Sequence, residues 1–91
     1  MKRFLIEREI PCIGMLDREQ LQDTAKKSCD ALRRLGPDIQ WIESFVAEDK
    51  TFCIYLAKGE DIIRQHAELS GFPANKITEI CTILDPTAER A

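Results

Sequence analysis

The segment Thr51-Phe52-Cys53-Ile54-Tyr55-Leu56-Ala57 carries most of the information about the fold of this chain. It is rich in β-branched and aromatic residues and follows a short polar turn at 48–50, which is typical of the second strand of a hairpin. Side chains alternate between the two faces of a strand. We therefore predict that Phe52, Ile54 and Leu56 lie on the face of the strand that packs on the core. Cys53 and Tyr55, whose side chains can take part in chemistry, are expected on the opposite face.

The flanking segments predict a β-α-β-β-α-β order of elements. A helix is expected to begin after Asp17, because Gln20 three residues later completes a capping-box pattern, and to end at Gly36-Pro37. This order is that of a ferredoxin-like α+β fold, in which two helices cover one face of an antiparallel sheet. We expect a single domain over residues 1–91, with strands at 2–10, 39–47, 51–57 and 76–84 and helices at 17–35 and 59–69.

Composition and charge exclude several classes of partner. The chain has 91 residues and a formal net charge of −3, so it lacks the basic surface of a nucleic-acid-binding protein. No apolar run is long enough to cross a bilayer, and Glu7 interrupts the run at the start of the chain. The four cysteines are widely spaced and form no Cys-x-x-Cys pair, so a zinc knuckle is not predicted. We expect a cytoplasmic protein with reduced thiols, and neither nucleic acid nor a membrane as a partner.

Strand parity predicts which residues lie on each face of the sheet. The helix-covered face is expected to hold Phe4, Ile6, Ile42, Val46, Phe52, Ile54, Leu56 and Ile80. The uncovered face is expected to hold Leu5, Glu7, Trp41, Glu43, Phe45, Cys53, Tyr55, Glu79, Cys81 and Ile83. Several members of the second set are too apolar to face water, and an exposed patch of that size indicates an interface. We therefore expect a homodimer through the uncovered face, giving a dimeric α/β barrel.

The uncovered face would also carry three carboxylates, those of Glu7, Glu43 and Glu79. Carboxylates that share a face repel one another unless a cation or solvent compensates. A divalent metal ion could supply that charge, as could the nearby basic side chains Arg3, Arg8 and Lys50. Three roles stay open for the acids: solvated surface groups, metal ligands, or a proton acceptor for an organic ligand.

His66 is the only histidine, and it lies at the edge of the apolar stripe of the second helix. A structural histidine bonded to a strand carbonyl fits this position, and so does a titrating or metal-binding one. Imidazole suits nickel, copper, zinc or iron, whereas carboxylates alone suit magnesium or calcium. On the predicted parity, His66 and Glu7 lie on opposite sides of the sheet, so a joint site would need a sheet edge, a helix end or the partner chain.

The chain resembles a small bacterial family known as domain of unknown function 4242. The resemblance covers nearly the whole chain and rests on six segments: 3–8 (Arg-Phe-Leu-Ile-Glu-Arg), 41–46 (Trp-Ile-Glu-Ser-Phe-Val), 49–55 (Asp-Lys-Thr-Phe-Cys-Ile-Tyr), 63–67 (Ile-Arg-Gln-His-Ala), 71–74 (Gly-Phe-Pro-Ala) and 77–80 (Ile-Thr-Glu-Ile). It implies a ferredoxin-like fold, a homodimer, and kinship with a member described as a nickel-binding protein. The same family pattern singles out Glu7, Cys53, Tyr55 and His66 as the positions that matter.

Two classes of function follow from these observations. The first is a metal-binding protein, with nickel or a similar divalent transition metal held by Glu7, Cys53, Tyr55, His66 and Glu79, and with no catalytic residues. The second is a binder of a small organic ligand, or a cofactor-free oxygenase or isomerase of the dimeric α/β-barrel type. Its pocket would be lined by Trp41 together with Tyr55 and His66, and this class rests on fold analogy.

Overall fold

The computed structural model describes residues 1–90 and contains six regular elements in the predicted order. The strands are β1 (Lys2–Glu9), β2 (Ile39–Val46), β3 (Lys50–Ala57) and β4 (Lys76–Ile80), and the helices are α1 (Arg18–Leu35) and α2 (Glu60–Ser70). Two short 3₁₀ turns lie at Ile13–Met15 and Pro86–Arg90. The predicted α+β, ferredoxin-like fold is confirmed. Within the described residues, no helix has the length and apolar character needed to cross a membrane.

The four strands form one antiparallel sheet in the order β2-β3-β1-β4. In the register of β1 with β3, Phe4 lies opposite Tyr55 and Ile6 lies opposite Cys53. Residues directly opposite one another share a face of the sheet. All four are buried, so this row of pairs forms the centre of the core beneath the helices.

The predicted face assignment of β3 is therefore wrong. Cys53 and Tyr55 point toward the helices, whereas Phe52, Ile54 and Leu56 lie half-buried on the helix-free face. Both faces of this strand are apolar enough to be buried, so alternation separates the two sets of side chains without showing which set faces the helices. The pairing of β3 with β1 shows that Cys53 and Tyr55 do.

A bulge in β2 changes which of its residues face the helices. The register shifts between Trp41 and Glu43, and the skipped residue, Ile42, is exposed rather than buried as predicted. Trp41 pairs with Tyr55 and so lies on the helix-covered face, which corrects its predicted position. An extra residue reverses the alternation beyond it, and Glu43 consequently lies on the helix-free face, as expected.

Strand β4 ends four residues earlier than predicted, and its faces are reversed. Ile80 pairs with Arg3 on the helix-free face, whereas Glu79 pairs with Phe4 on the helix-covered side. Cys81 and Ile83 lie beyond the strand and are exposed. The helix-free face is called the open face below, and it is formed mainly by Leu5, Glu7, Glu43, Phe45, Phe52, Ile54, Leu56 and Ile80.

Helix α1 has the predicted capping box. The Asp17 side chain accepts a hydrogen bond from the backbone N of Gln20 at 2.8 Å, and the Gln20 side chain accepts one from the backbone N of Asp17 at 3.0 Å. The helix ends at Gly36, whose φ of 84° lies in a region that favours glycine. Both helices pack on the same face of the sheet, and α2 buries Ile63 and His66 there.

The loop between β1 and α1 is fixed against the turn between β2 and β3. The backbone N of Gly14 donates to the carbonyl oxygen of Glu48 at 2.9 Å. A Cβ atom at position 14 would lie 2.6 Å from the carbonyl oxygen of Ala47, which is closer than atoms can pack. Glycine at this position lets the loop approach the hairpin and bring Ile13 into the core.

Candidate functional site: a buried polar cluster beside a cavity

His66 lies fully buried, with 0% of its surface exposed. Its Nε2 is 3.3 Å from the backbone oxygen of Ser28 and 3.1 Å from the Ser28 hydroxyl. A carbonyl oxygen only accepts, so we assign the proton to Nε2, which leaves Nδ1 as the lone-pair nitrogen. Nδ1 is buried without a hydrogen-bond partner in the structure. Burial, and then the charge of Arg8, lower the pKa of His66 below its ordinary 6.5, so the imidazole is neutral at neutral pH.

Tyr55 joins His66 through Ser28. The Tyr55 hydroxyl lies 3.4 Å from Ser28 Oγ, and the Tyr55 ring centroid lies 5.3 Å from that of the imidazole. Burial raises the pKa of Tyr55 above its ordinary 10.0, against the opposing effects of Ser28 and Arg8. The phenol is therefore protonated, and the three side chains form a neutral, buried polar cluster.

Arg8 places a permanent positive charge next to this cluster. It follows Phe4 and Ile6 on the helix-covered face of β1 and is only 3% exposed. Its Nη1 donates to the carbonyl oxygen of Pro73 at 2.8 Å, whereas Nη2 is buried without a hydrogen-bond partner. None of the ion pairs found within residues 1–90 includes Arg8. A guanidinium group does not lose its proton in proteins, so this charge persists at every physiological pH.

A cavity of about 230 Å³ lies between the sheet and α1, beside the cluster. The polar residues Arg8, Ser28 and Tyr55 are among those that line it, and so is the only tryptophan, Trp41. The indole N–H of Trp41 donates to Ser44 Oγ at 2.9 Å, which fixes the ring. The cavity therefore combines a mostly apolar lining with one charged group.

The five residues predicted as a metal site fall in three separate places. Cys53 and Tyr55 line the cavity, and His66 contacts Tyr55 from α2. Glu7 lies on the open face, on the other side of the sheet. Glu79 lies on β4, at the edge of the sheet. The structure thus brings together the thiol, the phenol and the imidazole but neither carboxylate.

Both carboxylates have lysine partners instead. The carboxylate of Glu7 lies 3.6 Å from Lys50 Nζ, and that of Glu79 lies 3.5 Å from Lys2 Nζ. Lys50 was one of three cations expected to balance the acids. Arg8 was another, but it lies on the opposite face from Glu7, so that expectation is corrected.

The donor groups of the described chain do not fit a resident metal ion. Within residues 1–90, no group of three or more His, Cys, Asp or Glu side chains is placed to hold one. The buried imidazole and thiol are also on the same side of the sheet as the Arg8 guanidinium, which repels a cation. Transition-metal sites need several converging donors, and here the acids are elsewhere.

Two buried polar residues, Arg8 and Ser28, were not predicted to be buried, although the sequence contains a signal for each. Arg8 has the same strand parity as Phe4 and Ile6, so alternation alone places it in the core. Ser28 lies seven residues after Leu21 and four before Leu32, which is the spacing of the buried stripe of a helix. Both were overlooked because polar residues are rarely fully buried.

Residues 4–80 match the family described as nickel responsive protein SCO4226-like. The chain belongs to this family. The crystal structure of SCO4226 from Streptomyces coelicolor A3(2) is similar in fold, with a TM-score of 0.74 over 90% of this chain and 99% of that chain. The two sequences are 12% identical, so the likeness shows the fold alone. No curated protein matches the chain in sequence.

The family match agrees in part with the resemblance seen in the sequence. It supports a small family whose description concerns nickel, as that resemblance implied. It does not support the name domain of unknown function 4242 itself. A metal-related role is therefore indicated by the family.

Proposed function

We propose that the protein binds nickel, or a similar divalent transition metal, as a homodimer formed through the open face. The match of residues 4–80 to a nickel-responsive family is the observation that carries this proposal. The geometry bears on where the metal would bind. Because Arg8 places a permanent positive charge beside the buried cluster under the helices, we place the metal on the open face.

The open face has the composition of an interface. Leu5, Phe52 and Ile54 lie side by side across neighbouring strands, and Phe45 beside them is 56% exposed. Contiguous apolar surface of this kind marks association sites in soluble proteins. A two-fold dimer would use the same patch on both subunits.

The same face supplies the carboxylates for the proposed metal site. Glu7 and Glu43 both lie on it, so a two-fold dimer would carry four of these carboxylates at or near one interface. Among residues 1–90, Glu7 is paired only with Lys50, at 3.6 Å, and ion pairs at the surface contribute about 0–1 kcal/mol. A divalent cation could replace the lysine. Carboxylates alone suit magnesium or calcium, so the choice of nickel rests on the family match and not on these donors.

Calorimetric titration of the reduced, chelator-treated protein with nickel tests the proposal. We expect micromolar or tighter binding, weakened at least about tenfold in Glu7→Gln, because loss of one charged ligand costs more than about 1.4 kcal/mol. Glu60→Gln is the matched control, since Glu60 is an exposed acid on α2 that pairs with Arg64 at 3.3 Å. His66→Gln should bind nickel as the unaltered protein does.

Two results would contradict the proposal. Absence of nickel binding at millimolar metal would remove the metal-binding function. Loss of binding in His66→Gln with Glu7→Gln unaffected would place the metal under the helices instead.

A further inference from the structure

Arg8 is a buried charge with no acidic partner among the residues that the structure describes. Only 3% of its surface is exposed. The one hydrogen bond that its side chain makes in the structure is to the Pro73 carbonyl. The Tyr55 ring centroid lies 5.9 Å from its guanidinium carbon, which offers a weak attraction and no neutralisation. Burying a charge is costly unless it is paired, and a guanidinium cannot escape that cost by losing its proton.

No carboxylate among the residues lining the cavity supplies the missing negative charge. No aspartate or glutamate of residues 1–90 is among them, and the other titratable groups on the wall are Cys53 and Tyr55. The Tyr55 phenol is protonated because burial raises its pKa. One of the two hydroxyl protons of Tyr55 and Ser28 is used in the hydrogen bond between them, and the other is free to be donated. A buried positive charge and one free hydroxyl donor favour an anion.

We propose that the cavity between the sheet and α1 binds a small organic monoanion, a carboxylate with a compact apolar body, whose carboxylate pairs with the Arg8 guanidinium. The planar guanidinium matches a carboxylate in shape and charge. Leu21, Trp41 and Phe72 on the remaining wall match an apolar body. This proposal does not depend on the metal proposal, which concerns the opposite face of the sheet.

The size of the cavity limits the ligand. Cavities of about 150 Å³ lined by apolar side chains bind benzene, and this one measures about 230 Å³. A benzene ring with a carboxylate and one further carbon fits that volume. Inorganic phosphate would leave the apolar wall without a contact, so an aromatic or branched aliphatic carboxylate is the better match.

The test uses the acids benzoate and phenylacetate. The neutral amides benzamide and phenylacetamide are the matched controls that lack the charge. Binding is followed in the nickel-free protein by calorimetry and by the fluorescence of Trp41, the only tryptophan, on the cavity wall. We expect at least one acid to bind at least about tenfold more tightly than its amide, a difference of about 1.4 kcal/mol. In Arg8→Gln that preference should disappear, whereas Arg33→Gln, which removes an exposed guanidinium on α1, should keep it.

A second variant covers the case in which Arg8→Gln fails to fold. Ala25 lies on the α1 wall of the cavity, and Ala25→Leu fills space while leaving Arg8 in place. It should weaken binding of the acid at least about tenfold with the circular dichroism spectrum unchanged. Equal binding of acids and amides, no binding of either acid, or full binding by Ala25→Leu would each overturn the proposal.

Discussion

His66 shows how a single side chain can make the stability of this protein depend on pH. Its imidazole is fully buried, its Nε2 is bonded to Ser28, and its surroundings include the Arg8 charge and the Tyr55 phenol. These surroundings favour the neutral ring. The unfolded chain, in contrast, exposes an ordinary imidazole.

We therefore predict that acid destabilises the fold before most carboxylates titrate. The pKa of His66 is lowered in the folded state from 6.5, so below that pH the unfolded state binds a proton that the folded state does not. Stability rises with pH wherever the unfolded state binds more protons, so the free energy of unfolding should fall as the pH drops below 6.5. Urea denaturation at a series of pH values below 6.5 measures this fall in the free energy of unfolding, and the same series with His66→Gln shows how much of it is due to His66. Equal pH dependence in the two proteins would contradict this assignment.

The loop between β1 and α1 depends on a close contact with a neighbouring turn. Its docking on the β2–β3 turn depends on the absence of a side chain at Gly14, where a Cβ would lie 2.6 Å from the Ala47 oxygen. The same loop carries Ile13, which is buried and lines the cavity. A shift of this loop should therefore change both the free energy of unfolding and the binding of a ligand in the cavity.

Gly14→Ala should lower the free energy of unfolding by about 1–3 kcal/mol, the usual cost of forcing extra atoms into a packed site. Gly59→Ser is the matched control. A Cβ at Gly59 meets nothing within 4 Å, and position 59 is the N-cap of α2, where serine is favoured. Chemical denaturation of both variants decides the point, and equal stability of the two would show that the loop has room to move.

Elements and faces differ in how far the sequence predicts them. The capping box at Asp17 and the stop at Gly36 involve residues close in the chain, so helix α1 was predicted almost to its ends. The faces of β3 depend on its pairing with β1, which is more than 40 residues away for every pair, and local alternation does not contain that information. The bulge at Ile42 is likewise a property of the paired strands. For these reasons the sequence-based prediction put Tyr55 on the wrong face and did not foresee the buried cluster of His66, Ser28 and Tyr55 beside Arg8.

At the scale of the whole molecule, the sheet separates two environments of opposite character. The side under the helices holds a cavity with a fixed positive charge, contributed by Arg8. The open face holds apolar side chains together with the carboxylates of Glu7 and Glu43. The side under the helices therefore favours a bound anion. The open face favours a dimer that binds a cation.

We predict that the open face makes the protein a dimer in solution. Phe45→Glu places a charge on this patch, where Phe45 is 56% exposed, and should shift the mass from twice 10.4 kDa to 10.4 kDa, because a buried unpaired charge opposes association. Met15→Glu is the matched control on an exposed residue away from this face. Light scattering after size-exclusion chromatography gives the masses. A monomeric unaltered protein, or a dimeric Phe45→Glu variant, would contradict the prediction.

The most direct test of the metal assignment is the amide NMR spectrum of the ¹⁵N-labelled protein during titration with nickel, since paramagnetic nickel broadens the signals of amides near it. Binding on the open face should broaden the signals of Glu7 and Glu43 and spare that of Ser28, which lies under the helices. Broadening centred on Ser28 and His66, or a spectrum that nickel leaves unchanged, would contradict the account.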